Sequence, residues 1–424
     1  MASVKGRILA LAWMMPPLVF PRSLQVSRTL KTLKQYGWST TVITILPGAE
    51  PFGTLDQPLA DLYAGCYRQI DVEPREDICP SSWWLRAWRK AFPPQDVKVD
   101  NWIRRAGAAL RKELKSEKYD VLVTFAQPWV DHLAGLEVKR RQPSLPWVVH
   151  FSDPWVDSPY AQFSSDKQKS QACRQERRII EVADAVVFVN RYTADLVMKK
   201  YPGPWRSKVH LVPHGYDNDL LKAVVETRPQ KGIMRIVHTG TFYGQRNPGL
   251  ILSSIVELVK DPETRSRLRV EFVGNVDDQF PLLARNLGLD GVVAFSRRAG
   301  YLESLSLASR ADLLLLIDAP AERNVFLPSK IVDYFMLRKP ILGITPLSGA
   351  SADVLRKLGC PVVQPDDSAA IVKALRIVFE RWLAGQGAAS LPDPADTVAF
   401  DIQQTTREFE RAIEMAIHKG GKSI

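Results

Sequence analysis

The sequence predicts two doubly wound α/β domains in tandem, and three observations lead to this prediction. The chain has 424 residues, more than the ~250–300 over which a single hydrophobic core keeps growing. Short, uninterrupted runs of β-branched and aliphatic residues recur along its whole length, which is typical of strands buried on both faces of a parallel sheet. A loop and an amphipathic helical stretch follow each run, and this alternation builds βαβ units.

Six such runs lie in each half of the chain. In the first half they are RILALAW from Arg7, TTVITIL from Thr40, YDVLVTFA from Tyr119, WVVHFSD from Trp147, ADAVVFVN from Ala183 and KVHLVPHG from Lys208. In the second half they are MRIVHTG from Met234, LRVEFVG from Leu268, VVAFSR from Val292, ADLLLLID from Ala311, PILGIT from Pro340 and PVVQPD from Pro361. We expect an N-terminal domain over residues 1–215, a C-terminal domain over 216–395, and a final helix with a polar tail, 396–424, that packs back toward the N-terminal domain. Ligands of open α/β sheets bind beyond the carboxyl ends of the strands, so we expect the site in a cleft where the two domains face each other.

Composition narrows the class of protein further. The net charge of +11 favours an anionic partner: a nucleotide, a phospholipid surface or nucleic acid. No apolar run reaches the ~18 residues of a membrane span. The cysteines (Cys66, Cys79, Cys173 and Cys360) lack metal-ligand spacing, which favours reduced thiols in a cytoplasmic protein. Acidic pairs such as Asp277–Asp278 fit turns, so we predict no metal site.

The first motif that carries chemistry is LPSKIVDYFMLRKPILGI, from Leu327 to Ile344. Ser329 is predicted to cap a helix that Pro340 ends. The free N–H groups at such a helix start, together with Lys330, could bind a diphosphate. Asp333, one turn further on, could accept hydrogen bonds from ribose hydroxyls. The same pattern also fits an ordinary capped helix with a solvated acid.

The second motif is HTGTFYGQRNPGL, from His238 to Leu250, where a predicted strand ends in a loop that contains Gly240 and Gly244. Glycines allow backbone amides to approach an anion closely, and Arg246 presents a guanidinium fork that fits phosphate oxygens. The spacing is not that of a G-x-G-x-x-G dinucleotide loop, which disfavours a nicotinamide enzyme. A tight turn without a ligand is the alternative.

Together the two motifs resemble the donor domain of the family 4 (group 1) glycosyltransferases, which have the GT-B fold. In that family a PSK-x-x-[E/D]-Y run precedes a basic residue and a proline, as in PSKIVDYFMLRKP here. The stretch from Tyr301 to Asp318 is similar to the segment before the family's donor helix, and VPHGYD from Val212 is similar to its interdomain hinge. The resemblance implies that Asp333 holds the ribose of the nucleotide. It also implies a diphosphate site that comprises Gly240, Thr241, Arg246, Ser329 and Lys330.

Two positions depart from the family pattern. Many members carry two glutamates separated by seven residues, but Val325 stands at the first position, with Glu322 and Asn324 nearby. The group that contacts the transferred sugar is therefore left open. Thr241 stands where many relatives have an arginine, so Arg246 would act with Lys330 alone.

On the acceptor side, the loop after the first strand and the sequence HFSDPW supply the candidates. Pro21 and Arg22 lie in a loop that borders the expected cleft, and they are possible acceptor contacts or parts of a structural cover. His150 and Asp153 follow a buried strand and could act as a base or orient an acceptor hydroxyl. Trp155 could stack on a sugar face. Alternatively, His150 is a core residue and Asp153 caps a turn; His214 and His238 are lesser candidates.

The segment SSWWLRAWRKAF, from Ser81 to Phe92, combines tryptophans with arginines and lysine, and a basic stretch from Arg104 to Lys118 follows it. This composition suits contact with an anionic membrane at the inner face, although the tryptophans could equally pack into the domain.

The resulting functional prediction is a glycosyltransferase that moves a sugar from a nucleoside-diphosphate sugar to a glycan or lipid-linked acceptor in cell-surface polysaccharide or glycoconjugate synthesis. Family resemblance implies retention at the anomeric carbon, and no cofactor or metal is expected. The alternatives are a nucleotide-sugar epimerase or hydrolase on the same fold, or a non-catalytic nucleotide-sugar binding protein. No nucleic-acid partner is expected, because no recognised binding module is present.

Overall fold

The computed structural model describes residues 4–48, 54–73, 97–224, 231–296, 300–389 and 391–420. The chain divides into two compact units. The N-terminal unit comprises residues up to Pro213 together with those from Thr405 onward, and the C-terminal unit runs from His214 to Gln404. Each unit is built around one parallel sheet.

The N-terminal unit contains a seven-stranded sheet with the order β5-β3-β1-β6-β7-β8-β9, in which every pairing is parallel. Its strands are β1 (Gly6–Ala12), β3 (Trp38–Ile45), β5 (Arg68–Val72), β6 (Val121–Ala126), β7 (Trp147–Phe151), β8 (Ala185–Phe188) and β9 (Val209–Leu211). A small antiparallel pair, β2 (Leu18–Val19) and β4 (Thr54–Leu55), lies beside it. The order of strands reverses between β1 and β6, which makes this the switch point of the sheet.

Helices cover both faces of this sheet. They are α1 (Pro21–Gln35), α2 (Gln57–Leu62), α3 (Val97–Ser116), α4 (Val130–Arg141), α5 (Asp166–Val182), α6 (Arg191–Met198) and, from the end of the chain, α15 (Ile402–Gly420). On one face Trp102 of α3 belongs to the same hydrophobic cluster as Leu9 and Leu122 of the sheet. On the other, Val26 of α1 and Phe409 of α15 share one hydrophobic cluster with the sheet. Residues of α15 therefore complete the core of the N-terminal unit.

The C-terminal unit contains a six-stranded parallel sheet with the order β12-β11-β10-β13-β14-β15. Its strands are β10 (Met234–Thr239), β11 (Leu268–Val273), β12 (Val293–Ser296), β13 (Leu313–Ile317), β14 (Ile341–Ile344) and β15 (Val362–Val363). Its helices are α7 (Gly249–Leu258), α8 (Pro262–Arg267), α9 (Gln279–Asn286), α10 (Tyr301–Ser309), α11 (Lys330–Leu337), α12 (Ala350–Lys357), α13 (Ser368–Leu383) and α14 (Pro394–Thr397). The switch point of this sheet lies between β10 and β13, where ligands of such sheets bind.

The structure confirms the predicted fold class and all twelve predicted strands. No apolar run in the sequence marks β5, an edge strand with the sequence RQIDV that is only partly buried. The aromatic and basic segment from Ser81 to Phe92 lies outside the described residues. None of the helices in the described part of the chain has the length and apolar character needed to span a bilayer.

Candidate functional site

The donor-side residues predicted from the sequence converge at the switch point of the C-terminal sheet. Gly240 and Arg246 lie in the loop that leaves β10, and Lys330 is the first residue of α11, which precedes β14. Asp318 directly follows β13, the neighbour of β10. The loops that leave β10 and β13 thus meet at the helix start where a diphosphate site was predicted.

Gly240 brings the backbone and Lys330 close together. Its φ is +115°, a conformation that residues with a Cβ rarely adopt. A Cβ atom built on Gly240 would lie 2.6 Å from the Lys330 Nζ atom, so the amine occupies the space that a side chain here would need. The neighbouring Thr241 is exposed, as is Gly244. The glycine at position 240 is therefore required by a close approach as well as by its backbone angle.

Arg246 is held by a buried acid that the sequence analysis did not identify. Its Nη2 atom donates to Asp318 Oδ1 at 3.2 Å, and the two side chains are 11% and 2% exposed. The other oxygen of Asp318 accepts from Asn324 Nδ2 at 2.7 Å and from Thr345 Oγ1 at 2.8 Å. The guanidinium also lies over the ring of Tyr243, with 5.0 Å between its carbon and the ring centroid. This network fixes the arginine beside the glycine loop.

Among the described residues, the Lys330 amine contacts an imidazole and forms no ion pair with an acid. Its Nζ atom lies 3.1 Å from His238 Nε2, and His238 is fully buried on β10. Burial, reinforced by the charge of Arg246 and opposed by Asp318, lowers the pKa of Lys330 to about 7. Burial and the neighbouring Lys330 hold the pKa of His238 well below its ordinary value, so this imidazole is neutral.

Ser329 and Asp333 lie at the start of α11, as predicted. Ser329 occupies the N-cap position, but its side chain makes no capping hydrogen bond, because its backbone is already helical (φ −60°, ψ −29°). The predicted N-cap position of Ser329 is confirmed, but its side chain does not contribute to the cap. Asp333, half-buried one turn later, accepts a hydrogen bond from the hydroxyl of Tyr301 at 3.0 Å.

The residues near the missing family glutamate have different surroundings. Val325 is buried, and Glu322 is exposed. Asn324 is buried, and its side chain bonds Asp318, Ser351 Oγ and the backbone N–H of Phe326. Asn324 thus helps to hold the Arg246–Asp318 network.

On the acceptor side, two predicted residues contact each other. The Arg22 Nη2 atom lies 2.8 Å from His150 Nδ1 and 3.2 Å from the His150 backbone oxygen. The guanidinium also lies over the ring of Phe125, 5.3 Å from its centroid, and burial lowers the pKa of Arg22 to about 9. His150 is 7% exposed and packs against Phe409 of α15. The prediction that Pro21 and Arg22 lie in a loop is wrong, because Pro21 begins α1 and Arg22 is the second residue of this helix.

The remaining acceptor candidates lie in the segment that follows β7. Asp153 accepts a hydrogen bond from Gln127 Nε2 at 3.1 Å. The ring of Trp155 stacks on Trp129, with 5.5 Å between centroids and 12° between planes. Both partners come from the segment after β6, so these contacts lie along the carboxyl edge of the sheet.

A buried acid at the switch point of the N-terminal sheet anchors the loop after β1. Asp131, at the start of α4, accepts hydrogen bonds from the backbone N–H of Trp13 and from Trp102 Nε1, each at 2.7 Å. Burial raises the pKa of Asp131 to about 7, although both hydrogen bonds and Arg22 oppose this rise. The next residue, His132, is also fully buried, and burial lowers its pKa to about 3. His214, the other lesser candidate, is buried in the C-terminal unit.

Within the described ranges, no group of three or more histidine, cysteine, aspartate or glutamate side chains is arranged to hold a metal ion. Asp277 accepts from the backbone N–H of Gln279, and Asp217 accepts from that of Asp219. Both acids therefore stabilise turns, as the sequence indicated.

Comparison with known proteins identifies a family that this chain resembles. The model of the family described as Glycosyltransferase Family 4 matches residues 73–220. This match lies mainly in the N-terminal unit, whereas the motifs that indicated the family lie in the C-terminal unit. No curated protein matches the sequence significantly.

Solved structures match nearly the whole chain at low identity. Anabaena Alr3699/HepE, solved in complex with UDP-glucose, is 13% identical, with a TM-score of 0.65 and coverage of 96% of this chain and 99% of that one. Sucrose-phosphate synthase from Thermosynechococcus elongatus is 16% identical, with a TM-score of 0.61 and coverage of 99% and 98%. A putative UDP-N-acetylglucosamine 2-epimerase from Listeria monocytogenes is 9% identical, with a TM-score of 0.59 and coverage of 98% and 96%. The family match and the fold confirm the resemblance to the GT-B glycosyltransferases of family 4.

Proposed function

We propose that this chain, a GT-B-type protein that resembles the family 4 glycosyltransferases, transfers a sugar from a nucleoside-diphosphate sugar to a hydroxyl of a glycan or lipid-linked acceptor. The observation that carries the proposal is the convergence of Arg246 and Lys330 on the glycine loop at the switch point of the C-terminal sheet. Two cations, one from the loop after β10 and one from the first turn of α11, match the charge of a diphosphate. The acceptor would belong to cell-surface polysaccharide or glycoconjugate synthesis.

In this proposal the donor is held along α11. Arg246 and Lys330 bind the diphosphate oxygens, and the glycine loop with Thr241 and Ser329 supplies hydrogen-bond donors beside them. Asp333, one helical turn further along, accepts hydrogen bonds from the ribose hydroxyls. Tyr301 supports this role, because its hydroxyl donates to Asp333 Oδ1 at 3.0 Å and orients the carboxylate.

The chemical task of these cations is to stabilise the leaving diphosphate as its charge develops. Arg246 is pre-positioned by Asp318, so little reorganisation is needed when the sugar–phosphate bond breaks. Since the two side chains supply the positive charge, we propose that the reaction needs no metal ion. Retention at the anomeric carbon is part of the proposal and follows from the family resemblance.

The N-terminal unit would receive the acceptor. His150 and Asp153 would orient the attacking hydroxyl or accept its proton, and Trp155 would stack on a sugar ring. Arg22 supports an orienting role for His150, because the guanidinium donates to Nδ1 at 2.8 Å and fixes the position of the ring. Pro21 fixes the start of the helix that carries Arg22.

A membrane-facing surface on this unit would suit a lipid-linked acceptor. Arg104, Lys112 and Lys115 are exposed on α3, and their spacing places them on one side of the helix. Each basic residue near an anionic leaflet contributes about 1 kcal/mol to binding. We therefore propose a cytoplasmic location with peripheral attachment to the inner face of the membrane.

The first experiment is a thermal-shift screen against UDP, GDP, ADP, TDP and CMP, with and without magnesium. A ligand at 100 times its dissociation constant stabilises the protein by about 2.7 kcal/mol, which is easily observed. We expect one nucleoside diphosphate to stabilise the protein independently of magnesium. The variants Arg246→Met and Lys330→Met should lose this shift, and Arg267→Met, which removes an exposed cation of the same unit, should keep it. Unchanged binding in both site variants would refute the donor-site assignment.

A second reaction on the same fold is a nucleotide-sugar epimerase, and the Listeria structure favours it as the alternative to test. The two reactions differ in what happens to the nucleotide. A transferase releases free nucleoside diphosphate only when an acceptor or water receives the sugar, whereas epimerisation converts one nucleotide sugar into another. Proton NMR of the donor, followed with and without added glycan acceptors, separates the two.

A further inference from the structure

We propose that Lys330 and His238 form a proton-linked pair: the imidazole positions the amine over Gly240, and the amine takes up a proton from solvent when the diphosphate of a nucleotide sugar binds beside Arg246. This inference rests on the proposed function and assigns a positioning residue and a pH response to the same site.

Hydrogen-bond geometry fixes the role of the imidazole. His238 Nδ1 lies 2.9 Å from the backbone oxygen of Leu315, and a carbonyl oxygen can only accept, so Nδ1 carries the ring proton. Nε2 is then an acceptor, and it faces Lys330 Nζ at 3.1 Å. Phe242 stacks on the ring at 4.6 Å between centroids and keeps it in this orientation. The amine is thus directed by a neutral base that cannot balance its charge.

Arg246 and Lys330 differ in whether a neighbouring acid balances their positive charge. Arg246 has its own acid, because Asp318 accepts from it at 3.2 Å and is itself held by Asn324 and Thr345. Lys330 has the neutral imidazole. The pKa of the amine is accordingly lowered to about 7 by burial and by Arg246, with Asp318 acting in the opposite sense. A bound diphosphate would supply the missing negative charge and favour the protonated amine.

The other titratable groups around the Lys330 amine do not supply the negative charge that a bound diphosphate would bring. On its own helix, Asp333 is bonded to Tyr301 of α10. The Tyr334 hydroxyl lies 3.0 Å from the backbone N–H of Thr239 and 3.2 Å from the Leu315 carbonyl oxygen, and burial raises its pKa to about 12. The Tyr334 phenol therefore keeps its proton between pH 6 and 8.

Isothermal titration calorimetry in two buffers of different ionisation enthalpy measures the proton uptake directly. The probes are UDP-glucose, GDP-mannose, ADP-glucose and TDP-glucose, whose esterified diphosphates do not titrate in this range. At a pKa of about 7, roughly one amine in ten is protonated at pH 8 and about nine in ten at pH 6. We expect uptake of nearly one proton at pH 8, almost none at pH 6, and an affinity about tenfold weaker at pH 8.

Two variants separate this mechanism from a merely structural role. Lys330→Arg keeps the positive charge at all these pH values, so binding should show no proton uptake and no dependence on pH. His238→Phe fills the same space without an acceptor, so the inflection in affinity should move to lower pH. A purely structural histidine would instead lower affinity equally at every pH. If that variant does not fold, Lys330→Arg alone decides the question.

The outcomes distinguish this inference from the proposed function. Binding of a nucleotide sugar with no proton uptake at pH 8, or equal uptake in Lys330→Arg, would overturn the proton-linked pair and leave the donor site intact. Failure of all four nucleotide sugars to bind the unmodified protein would overturn the donor site and this inference together.

Discussion

The buried contact between Arg246 and Asp318 makes a quantitative prediction about stability. In Asp318→Asn the amide must present its N–H₂ group either to the Arg246 guanidinium or to the donors of Asn324 and Thr345. Each orientation places two donors against each other. Removal of one partner from a buried ion pair costs about 3–5 kcal/mol. The face of Tyr243 offsets about 0.5–1 kcal/mol of this by its contact with the cation.

We therefore expect Asp318→Asn to destabilise the C-terminal unit by about 3 kcal/mol, or about 6–12 °C in melting temperature for a domain of this size. Differential scanning calorimetry is the suitable assay, because two units need not unfold in one step. Glu257→Gln is the matched control: it removes an acid from an exposed pair with Lys260, and such pairs contribute at most about 1 kcal/mol.

The double variant Asp318→Asn/Arg246→Met tests the cause of the loss. If an unbalanced buried charge is responsible, removal of the arginine should recover part of the stability that the single variant loses. A loss below about 1 kcal/mol in Asp318→Asn, or no recovery in the double variant, would refute the argument.

Two further predictions concern the loops at the switch points. Gly240→Ala should weaken nucleotide-sugar binding about ten- to a hundredfold by displacing Lys330, as measured by calorimetry, since a hydrogen bond to a charged group contributes about 1.5–3 kcal/mol. Gly244→Ala, where φ is +56° and a Cβ meets no atom within 4 Å, should bind normally; equal loss in both variants would contradict the explanation. Asp131, whose pKa is raised to about 7, holds its proton more tightly in the folded protein, so it stabilises at low pH and this stabilisation is lost as pH rises from about 4 to 7. In urea unfolding at several pH values, the advantage of the unmodified protein over Asp131→Asn should fall over that range, and a constant difference would disprove the assignment.

The strands were predictable because each buried strand corresponds to a short apolar run in the local sequence. A run such as ADLLLLID is apolar on both faces, and its strand β13 is buried at every position. The edge strand β5 escaped prediction because only Val72 of its five residues is buried, so no apolar run marks it. The N-cap position of Ser329 was predictable from residue type, whereas the backbone conformation that prevents a side-chain capping bond was not.

The sequence motifs predicted which cationic residues form the site, but not which residues those cations contact. The family resemblance pointed to Arg246 and Lys330, whereas their partners Asp318 and His238 lie 72 and 92 positions away along the chain. Only the strand order brings these residues together. One local signal was present: Asp318 is an acid directly after a fully buried central strand, a position where parallel sheets place functional side chains.

The path of the chain has a consequence for how the protein is made. The face of the N-terminal sheet that contains Phe125 is covered partly by Phe409 and Ala416 of α15, near the end of the chain. At about 5–20 residues per second, a ribosome needs roughly 10–40 s to synthesise the stretch between Pro213 and these residues. During that time the first domain lacks part of its core, while the C-terminal unit, continuous from His214 to Gln404, emerges whole. In this protein the domain whose synthesis begins first is the one that must wait to be completed.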